Sequence, residues 1–242
     1  MKIIESQKSL DGIINDIDNS IVIPIYTNDT QHVIENGMSL IIFLTKDSNL
    51  YVVPISHPEA IWNASLENLR KSISNYTLYT IDKKSMLYSF DCNLIDINMI
   101  EWIKTGNILE QENINTLTHD FYSSRFWNRQ DTNQIIPIYK HVEKIQQIKD
   151  QLIAYLNDST TNTEYFKVYN EAVLTILHEI EKQGLSTQDG YEYSQYNPYT
   201  TTGRPSNRFN GVNYAALNKE DGSRERFVSR FPNGKLIEMD FD

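Results

Sequence analysis

The side chains best suited to chemistry lie in the C-terminal part of the sequence, where a basic segment precedes a short alternation of apolar and acidic residues. Residues 201–237 carry seven basic and three acidic side chains, whereas residues 1–200 carry 15 basic and 26 acidic ones. Basic side chains in such a segment can bind phosphate oxygens, although a solvated loop with scattered charges is the alternative. Glu238, Asp240 and Asp242 alternate with apolar residues, which predicts a strand with carboxylates on one face. Carboxylates are the ligands that Mg²⁺ prefers.

Other reactive side chains make weaker candidates. His178 and Glu179 lie in a predicted helix, but the second histidine of a zinc-protease motif is missing, so they indicate a helix surface. His119 and Asp120 could form an acid–base pair, but no further spacing supports a catalytic arrangement. Cys92 has no basic neighbour in sequence, which favours a buried structural thiol.

Composition limits the class of protein. A chain of 242 residues that is 40% hydrophobic has enough apolar material for a core. One cysteine excludes an internal disulfide framework, and the sequence has neither an apolar signal segment nor a membrane-length apolar run. We therefore predict a cytoplasmic protein with no membrane partner. The net charge of -10 does not cancel the basic segment locally, because charges are screened beyond about 8 Å.

The elements that must position these side chains follow from periodicity and turn chemistry. Strands are predicted at 21–26, 39–45, 50–55 and 76–81, and helices at 65–73, from about Asp82, and at 98–104. Residues 46–49 have turn chemistry, so the second and third strands form a predicted hairpin. Apolar residues at helical spacing predict two longer helices at 142–156 and 165–180, joined as an antiparallel pair. The alternation over 235–242 predicts a final strand.

Four stretches of the C-terminal region resemble, in order and approximate spacing, the start of the palm in family A DNA polymerases. This family includes bacterial DNA polymerase I and bacteriophage enzymes. The stretches are a T-G-R-x-S motif from Thr202 to Ser206, a loop with Asn213, an E-x-G-x-R-x-R motif from Glu220 to Arg226, and a strand at 236–241 that contains Asp240. In the family, that strand ends in the metal-binding aspartate of motif A.

The resemblance implies roles for individual residues. Asp240 would be the catalytic residue and, with the backbone carbonyl of Phe241, would bind Mg²⁺, of which the completed enzyme uses two ions. The implied DNA-binding residues are Gly203, Arg204, Ser206, Asn207 and Asn213, and the implied nucleotide-binding residues are Lys219, Arg224 and Arg226. The sequence departs from the family after Asn213, where Tyr214 and two alanines replace an N-L-Q-N stretch.

The N-terminal region resembles the 3′–5′ exonuclease domain of the same family. The stretch 39–57 resembles its hairpin, residues 79–84 resemble the segment of its second acidic motif, and residues 94–97 resemble the strand that follows. However, residues 24–28 lack the D-x-E motif of the first strand, and no Y-x-x-x-D motif is found. The resemblance therefore implies an exonuclease-like fold without its metal-binding carboxylates.

These patterns predict an α+β protein in three parts. They are a mixed α/β exonuclease-like domain without activity at 1–115, a helical thumb-like region at 116–195 and the start of a palm domain at 196–242. The predicted function is part of a phage-like DNA-directed DNA polymerase that is truncated or split before motifs B and C and inactive alone. Its partners would be primer–template DNA and dNTP, together with a second chain that carries the rest of the palm and the fingers if the polymerase is split. A phage-encoded enzyme of this kind would lie in the host cytoplasm. The alternatives are a non-catalytic DNA-binding module or a divergent 3′–5′ exonuclease that uses Asp82 and Asp96.

Overall fold

The structure is a computed structural model that describes residues 1–26, 32–109, 137–208, 217–218 and 220–237. It forms two compact units, residues 1–175 and residues 176–242. The first unit combines a six-stranded sheet with helices, which agrees with the predicted mixture of α and β structure.

The sheet of the first unit is mixed. Its strands are β1 (Lys2–Ile3), β2 (Ser20–Tyr26), β3 (Met38–Leu44), β4 (Leu50–Pro54), β5 (Thr77–Thr80) and β6 (Asn93–Asp96). They lie in the order β1-β4-β3-β2-β5-β6. Strand β3 is antiparallel to β2 and β4, while β1 with β4, β2 with β5 and β5 with β6 are parallel pairs. The predicted hairpin of β3 and β4 is therefore confirmed.

Burial explains why the central strands are continuously apolar. Every residue of β2 and β3 is buried, so both faces of the sheet centre are covered by other parts of the chain. Strand β1 was not predicted because two residues give no alternation. Its pairing places Ile3 beside Val52 of β4.

The shorter helices of the first unit are α1 (Gln7–Asp11), α2 (Leu66–Ser72), α3 (Lys83–Met86) and α4 (Ile97–Thr105). Short 3-10 turns lie at Ile14–Ile17 and Val33–Glu35. Helices α2, α3 and α4 confirm the three shorter predicted helices. The Ser65 side chain caps the start of α2, and Gly106 ends α4 with a φ of 75°, the left-handed conformation that glycine adopts readily.

A second group of helices follows the chain from residue 138. Helix α5 (Ile138–Ile153) is followed by a 3-10 turn (Ser159–Asn162), helix α6 (Glu164–Lys167), a π-helical turn (Val168–Val173) and helix α7 (Leu174–Gln183). The two longer predicted helices are thus present, although the π turn was not predicted. Glu59 Oε2 accepts a hydrogen bond of 2.8 Å from the Ile138 N–H. A carboxylate that is distant in sequence thus provides a partner for the first N–H of α5, which has no acceptor within the helix. No helix in the described ranges is both long and apolar enough to cross a membrane.

The second unit contains short strands that the sequence did not predict. Strands β7 (Leu185–Thr187) and β8 (Gly190–Glu192) form one antiparallel hairpin. Strands β9 (Gln195–Asn197) and β10 (Ser206–Arg208) form another. Of the strand predicted at 235–242, residues 235–237 are irregular and exposed, and the rest lies outside the described residues. The prediction is wrong for these three residues, because alternation alone provides no neighbouring strand to hydrogen-bond with.

Candidate functional site

The loop between β9 and β10 presents Arg204 to solvent. Gly203 has a φ of 71°, and its N–H donates a 3.1 Å hydrogen bond to the Thr200 carbonyl, which closes a tight turn. The Thr200 hydroxyl donates a 2.9 Å hydrogen bond to the Arg204 carbonyl, so the backbone on both sides of the turn is fixed. The Arg204 side chain is exposed and makes no hydrogen bond or ion pair with the described residues. Its guanidinium is therefore available to an external anion.

The arginines further along the second unit are engaged with the protein itself. The Arg224 guanidinium donates through Nε and Nη2 to the Leu217 carbonyl at 3.2 and 3.0 Å. Arg226 forms an ion pair with Glu192 of β8, with 2.7 Å between Nη2 and Oε2. These contacts tie the turn at 223–226 to other parts of the unit. Arg224 is half-buried, and Arg226 is exposed but paired with Glu192, whereas no ion pair with a described residue holds the Arg204 side chain.

The remaining predicted site residues divide into two sets. Ser206 and Asn207 belong to β10, so the structure brings them onto the same hairpin as Gly203 and Arg204. Four predicted site residues lie outside the described residues. They are Asn213, predicted to bind DNA, Lys219, predicted to bind the nucleotide, and Asp240 and Phe241, predicted to bind the metal ion.

In the first unit, polar side chains gather where the parallel strands β2, β5 and β6 end. Strand β2 pairs with β5 only at Ser20 and Ile21, and further along β2 Pro24 has no N–H to donate. Tyr26 ends β2, Asp82 comes just after β5, and Asp96 ends β6. The carboxyl ends of parallel strands are where α/β proteins usually bind ligands. We call Tyr26, Asp82, Lys83, Asp96 and Asn170 the strand-end cluster.

Tyr26 stands where the sequence resemblance requires an acidic residue. Its side chain is 5% exposed, and its hydroxyl has no hydrogen-bond partner among the described residues. Burial and the charge of nearby Asp82 both raise the pKa of Tyr26, so the phenol stays neutral. A neutral phenol is a poor substitute for a magnesium-binding carboxylate.

Both acidic residues of the alternative exonuclease hypothesis are helix caps. Asp82 accepts hydrogen bonds from the Ser85 N–H at 3.2 Å and the Ser85 hydroxyl at 2.9 Å, at the start of α3. Asp96 is fully buried, and its two oxygens accept from the Met99 N–H and the Lys83 N–H, each at 2.8 Å. Because backbone groups occupy both oxygens of Asp96, this carboxylate serves to hold α3 and α4 in place.

Lys83 provides a positive charge inside the cluster. Its side chain is 5% exposed, and its Nζ donates a 2.7 Å hydrogen bond to the Asn170 carbonyl. Burial lowers the pKa of Lys83, while the charges of Asp96 and Glu171 act in the opposite direction. The Lys83 ammonium group is therefore held by a backbone carbonyl, and the nearby charges of Asp96 and Glu171 favour its protonated form.

Asn170 extends the sheet with its side chain. Its Oδ1 accepts from the Asp96 N–H at 2.9 Å, and its Nδ2 donates to the Leu94 carbonyl at 3.0 Å. These two backbone groups lie on the side of β6 that has no neighbouring strand. The Asn170 amide therefore makes the hydrogen bonds that a neighbouring strand would otherwise make. Asn170 belongs to the π turn, which is a type of irregularity often found at functional positions.

Sequence reasoning missed both Lys83 and Asn170. A signal existed for Asn170, because it occupies a position between Phe166 and Leu174 on the buried face of an amphipathic helix. An amide there requires partners, since unsatisfied buried polar groups are costly. Lys83 carried no such signal, because two consecutive lysines after a strand indicate a solvated helix start.

The described residues contain no group of three or more His, Cys, Asp or Glu side chains positioned to hold a metal ion. Comparison with protein-family models finds no match to this sequence, and comparison with curated proteins finds none either.

Proposed function

We propose that this chain is the N-terminal part of a family A DNA polymerase, the enzyme class that performs DNA-directed nucleotidyl transfer. The observation that carries the proposal is the loop between β9 and β10. It holds the T-G-R motif of the sequence resemblance in a fixed turn and leaves the Arg204 guanidinium exposed and unpaired among the described residues. A fixed loop with a free arginine suits contact with a DNA backbone or groove.

The first unit supports the proposal through its elements. The resemblance requires a hairpin that ends in Pro54 and His57, then a strand before Asp82 and another before Ile97. All of these are present, as β3 with β4, as β5 and as β6. In this proposal residues 1–115 are an exonuclease-like domain whose strand ends carry Tyr26 and Lys83 in place of a magnesium site.

In the proposed enzyme Asp240 and the carbonyl of Phe241 would hold Mg²⁺. The metal would supply charge stabilisation for phosphoryl transfer, and a second chain or a continuation of this one would supply the other catalytic carboxylate. Lys219, Arg224 and Arg226 would bind the incoming nucleotide. Arg226 would then have to exchange its ion pair with Glu192 for the triphosphate.

A second candidate function is a DNA-binding module without catalysis. It is favoured by the structural use of Asp82 and Asp96, whose carboxylates cap helices α3 and α4. The divergent exonuclease receives less support from the same contacts, because both carboxylates already cap helices and Asp96 is fully buried, away from an incoming substrate.

Binding to a primer–template junction tests the proposed function. The full chain is expected to bind a recessed 3′ end more tightly than a blunt duplex of equal length, with an affinity that falls steeply with salt. Arg204→Ala should remove one phosphate contact and flatten the slope of log K against log salt by about one unit. Fluorescence anisotropy over a salt series gives both the affinity and the slope.

Arg70→Ala is the matched control, because it removes the same charge from a partly exposed ion pair with Asp91 in the first unit. It should leave the salt slope unchanged. Equal affinity for blunt and recessed DNA would favour the binding module over the polymerase. Absence of DNA binding, or equal effects of both substitutions, would contradict the role of Arg204.

A further inference from the structure

A third chain segment, residues 226–228, extends the hairpin of β7 and β8 in the second unit. Thr187 of β7 forms an antiparallel bridge with Phe227. The Val228 N–H donates a 3.0 Å hydrogen bond to the Ser186 carbonyl in the neighbouring position. The segment therefore lies beside β7 on the side opposite to β8, and the three together form a small antiparallel sheet.

One face of this small sheet carries a half-exposed tyrosine. Tyr191 of β8 pairs with Ser186 of β7, and Val228 lies on the other side of Ser186, so these three side chains share a face. The Tyr191 side chain is 51% exposed. The Arg230 guanidinium lies over its ring, 5.7 Å from the ring centroid. One face of the ring thus contacts a cation, which leaves the opposite face to a ligand.

Arg230 is fixed in this position by three hydrogen bonds. Its Nη1 donates to Gln183 Oε1 at 2.7 Å, and its Nη2 donates to the Gln183 and Gly184 carbonyls at 3.2 and 2.9 Å. These acceptors are neutral, so no carboxylate among the described residues cancels the charge of the guanidinium. The contacts use at most three of its five N–H groups, and the others remain for a ligand oxygen.

The charges around the ring indicate the class of ligand. Glu192 follows Tyr191 in β8, but its carboxylate is paired with Arg226, with 2.7 Å between Oε2 and Nη2. Arg230 therefore supplies the uncompensated charge beside the ring, and this charge is positive. A ligand that combines anionic groups with flat rings matches a cation next to an open aromatic face. Nucleic acid has this combination, and only unpaired bases expose the faces that can stack on a side chain.

We propose that Tyr191 and Arg230 form a binding platform for single-stranded nucleic acid. An unpaired base stacks on the open face of Tyr191, and Arg230 donates to a phosphate oxygen of the same strand. Because Arg230 is already held by the protein, little conformational entropy is lost when the strand binds. The platform is an activity beyond the proposed function, since neither residue lies in the stretches that resemble the polymerase family.

Fluorescence anisotropy with three labelled oligonucleotides of twelve nucleotides tests the platform on the full chain. They are oligothymidylate, oligouridylate and an abasic DNA strand that has the same phosphates but no bases. The wild type is expected to bind at least one of the first two about fivefold or more tightly than the abasic strand, because the abasic strand cannot stack. The tighter of the two identifies DNA or RNA as the ligand. Equal affinity for all three strands, or no binding, would overturn the proposal.

Tyr191→Leu tests the residue assignment, because leucine is apolar but has no aromatic face. It should weaken binding of the preferred oligonucleotide by about fivefold or more, whereas Tyr191→Phe should keep the wild-type affinity. Tyr139→Leu is the matched control. Tyr139 is a 57% exposed tyrosine in the first unit with Lys140 Nζ 5.3 Å from its ring centroid, but this lysine is paired with Glu143. Equal effects of Tyr191→Leu and Tyr139→Leu would contradict the role of Tyr191, and circular dichroism verifies that both variants are folded.

The platform and the proposed polymerase function can fail separately. Tyr191→Leu removes no charge, so it should leave the slope of log K against log salt unchanged, whereas Arg204→Ala should flatten it. Loss of the preference for a recessed 3′ end would contradict the polymerase and would leave the platform in place. Loss of the difference between base-containing and abasic strands would contradict the platform alone.

Discussion

Asn170→Leu is expected to lower the free energy of unfolding by roughly 2–5 kcal/mol. Leucine has a similar size but cannot hydrogen-bond, so the Asp96 N–H and the Leu94 carbonyl would lose their partner at the edge of β6. Each buried backbone group left without a hydrogen bond costs about 1–3 kcal/mol. Urea denaturation followed by circular dichroism measures the change directly.

Two further variants identify the cause. Asn170→Asp retains the acceptor for Asp96 but replaces the donor to Leu94 with an oxygen, so it should also destabilise the fold. Asn162→Leu, at an exposed position of the nearby 3-10 turn, should change the free energy of unfolding by less than about 0.5 kcal/mol. Equal stabilities of the Asn170→Leu and Asn162→Leu proteins would show that the amide bridge contributes nothing.

Acid should destabilise the first unit through His141. This side chain in α5 is fully buried, and burial, with a smaller contribution from His57, lowers its pKa to about 3. A histidine in the unfolded chain has a pKa of about 6.5. Between these two values the unfolded chain binds a proton that the native state excludes, so stability falls as the pH falls. From about pH 7 to about pH 5 this one group should lower the free energy of unfolding by roughly 2 kcal/mol.

His141→Leu and His141→Gln test the assignment together. Neither residue titrates, so both variants should lose less stability than the wild type between about pH 7 and about pH 5 at constant ionic strength. Their absolute stabilities will differ, because leucine and glutamine pack differently, but the two pH dependences should agree. A wild-type pH dependence in both variants would assign the acid sensitivity to other groups.

The sequence predicted the first unit well because its signals are local. Alternation and turn chemistry located the β3–β4 hairpin, and the serine cap of α2 and the glycine after α4 lie at the predicted ends. The sequence could not predict β1, whose two residues gain their conformation only from β4. It also missed the hairpins of the second unit, because three-residue strands are too short for a periodic signal.

The candidate site residues also fall into two groups, those placed by local sequence and those placed by contacts between distant residues. Arg204 follows a local glycine turn at Gly203. The T-G-R stretch predicted Arg204 as a DNA-binding residue, and that role stays a prediction.

The strand-end cluster depends on contacts between distant residues, such as Lys83 with Asn170, which are 87 positions apart. No local pattern encodes such a pair. The helix caps made by Asp82 and Asp96 are local, because their partners Ser85 and Met99 lie three residues on, but the hydrogen bond from the Lys83 N–H to Asp96, which lies 13 positions away, became visible only in three dimensions.

The position of β1 has a consequence for the order in which the protein is made. The ribosome adds Lys2 and Ile3 well before their neighbours in the sheet, Tyr51 and Val52. Strand β1 therefore has no strand to pair with until β4 has been synthesised, while β2, β3 and β4 can join as successive hairpins. Strand β1 can complete this edge of the sheet only after β4 is available, although it is synthesised before β4.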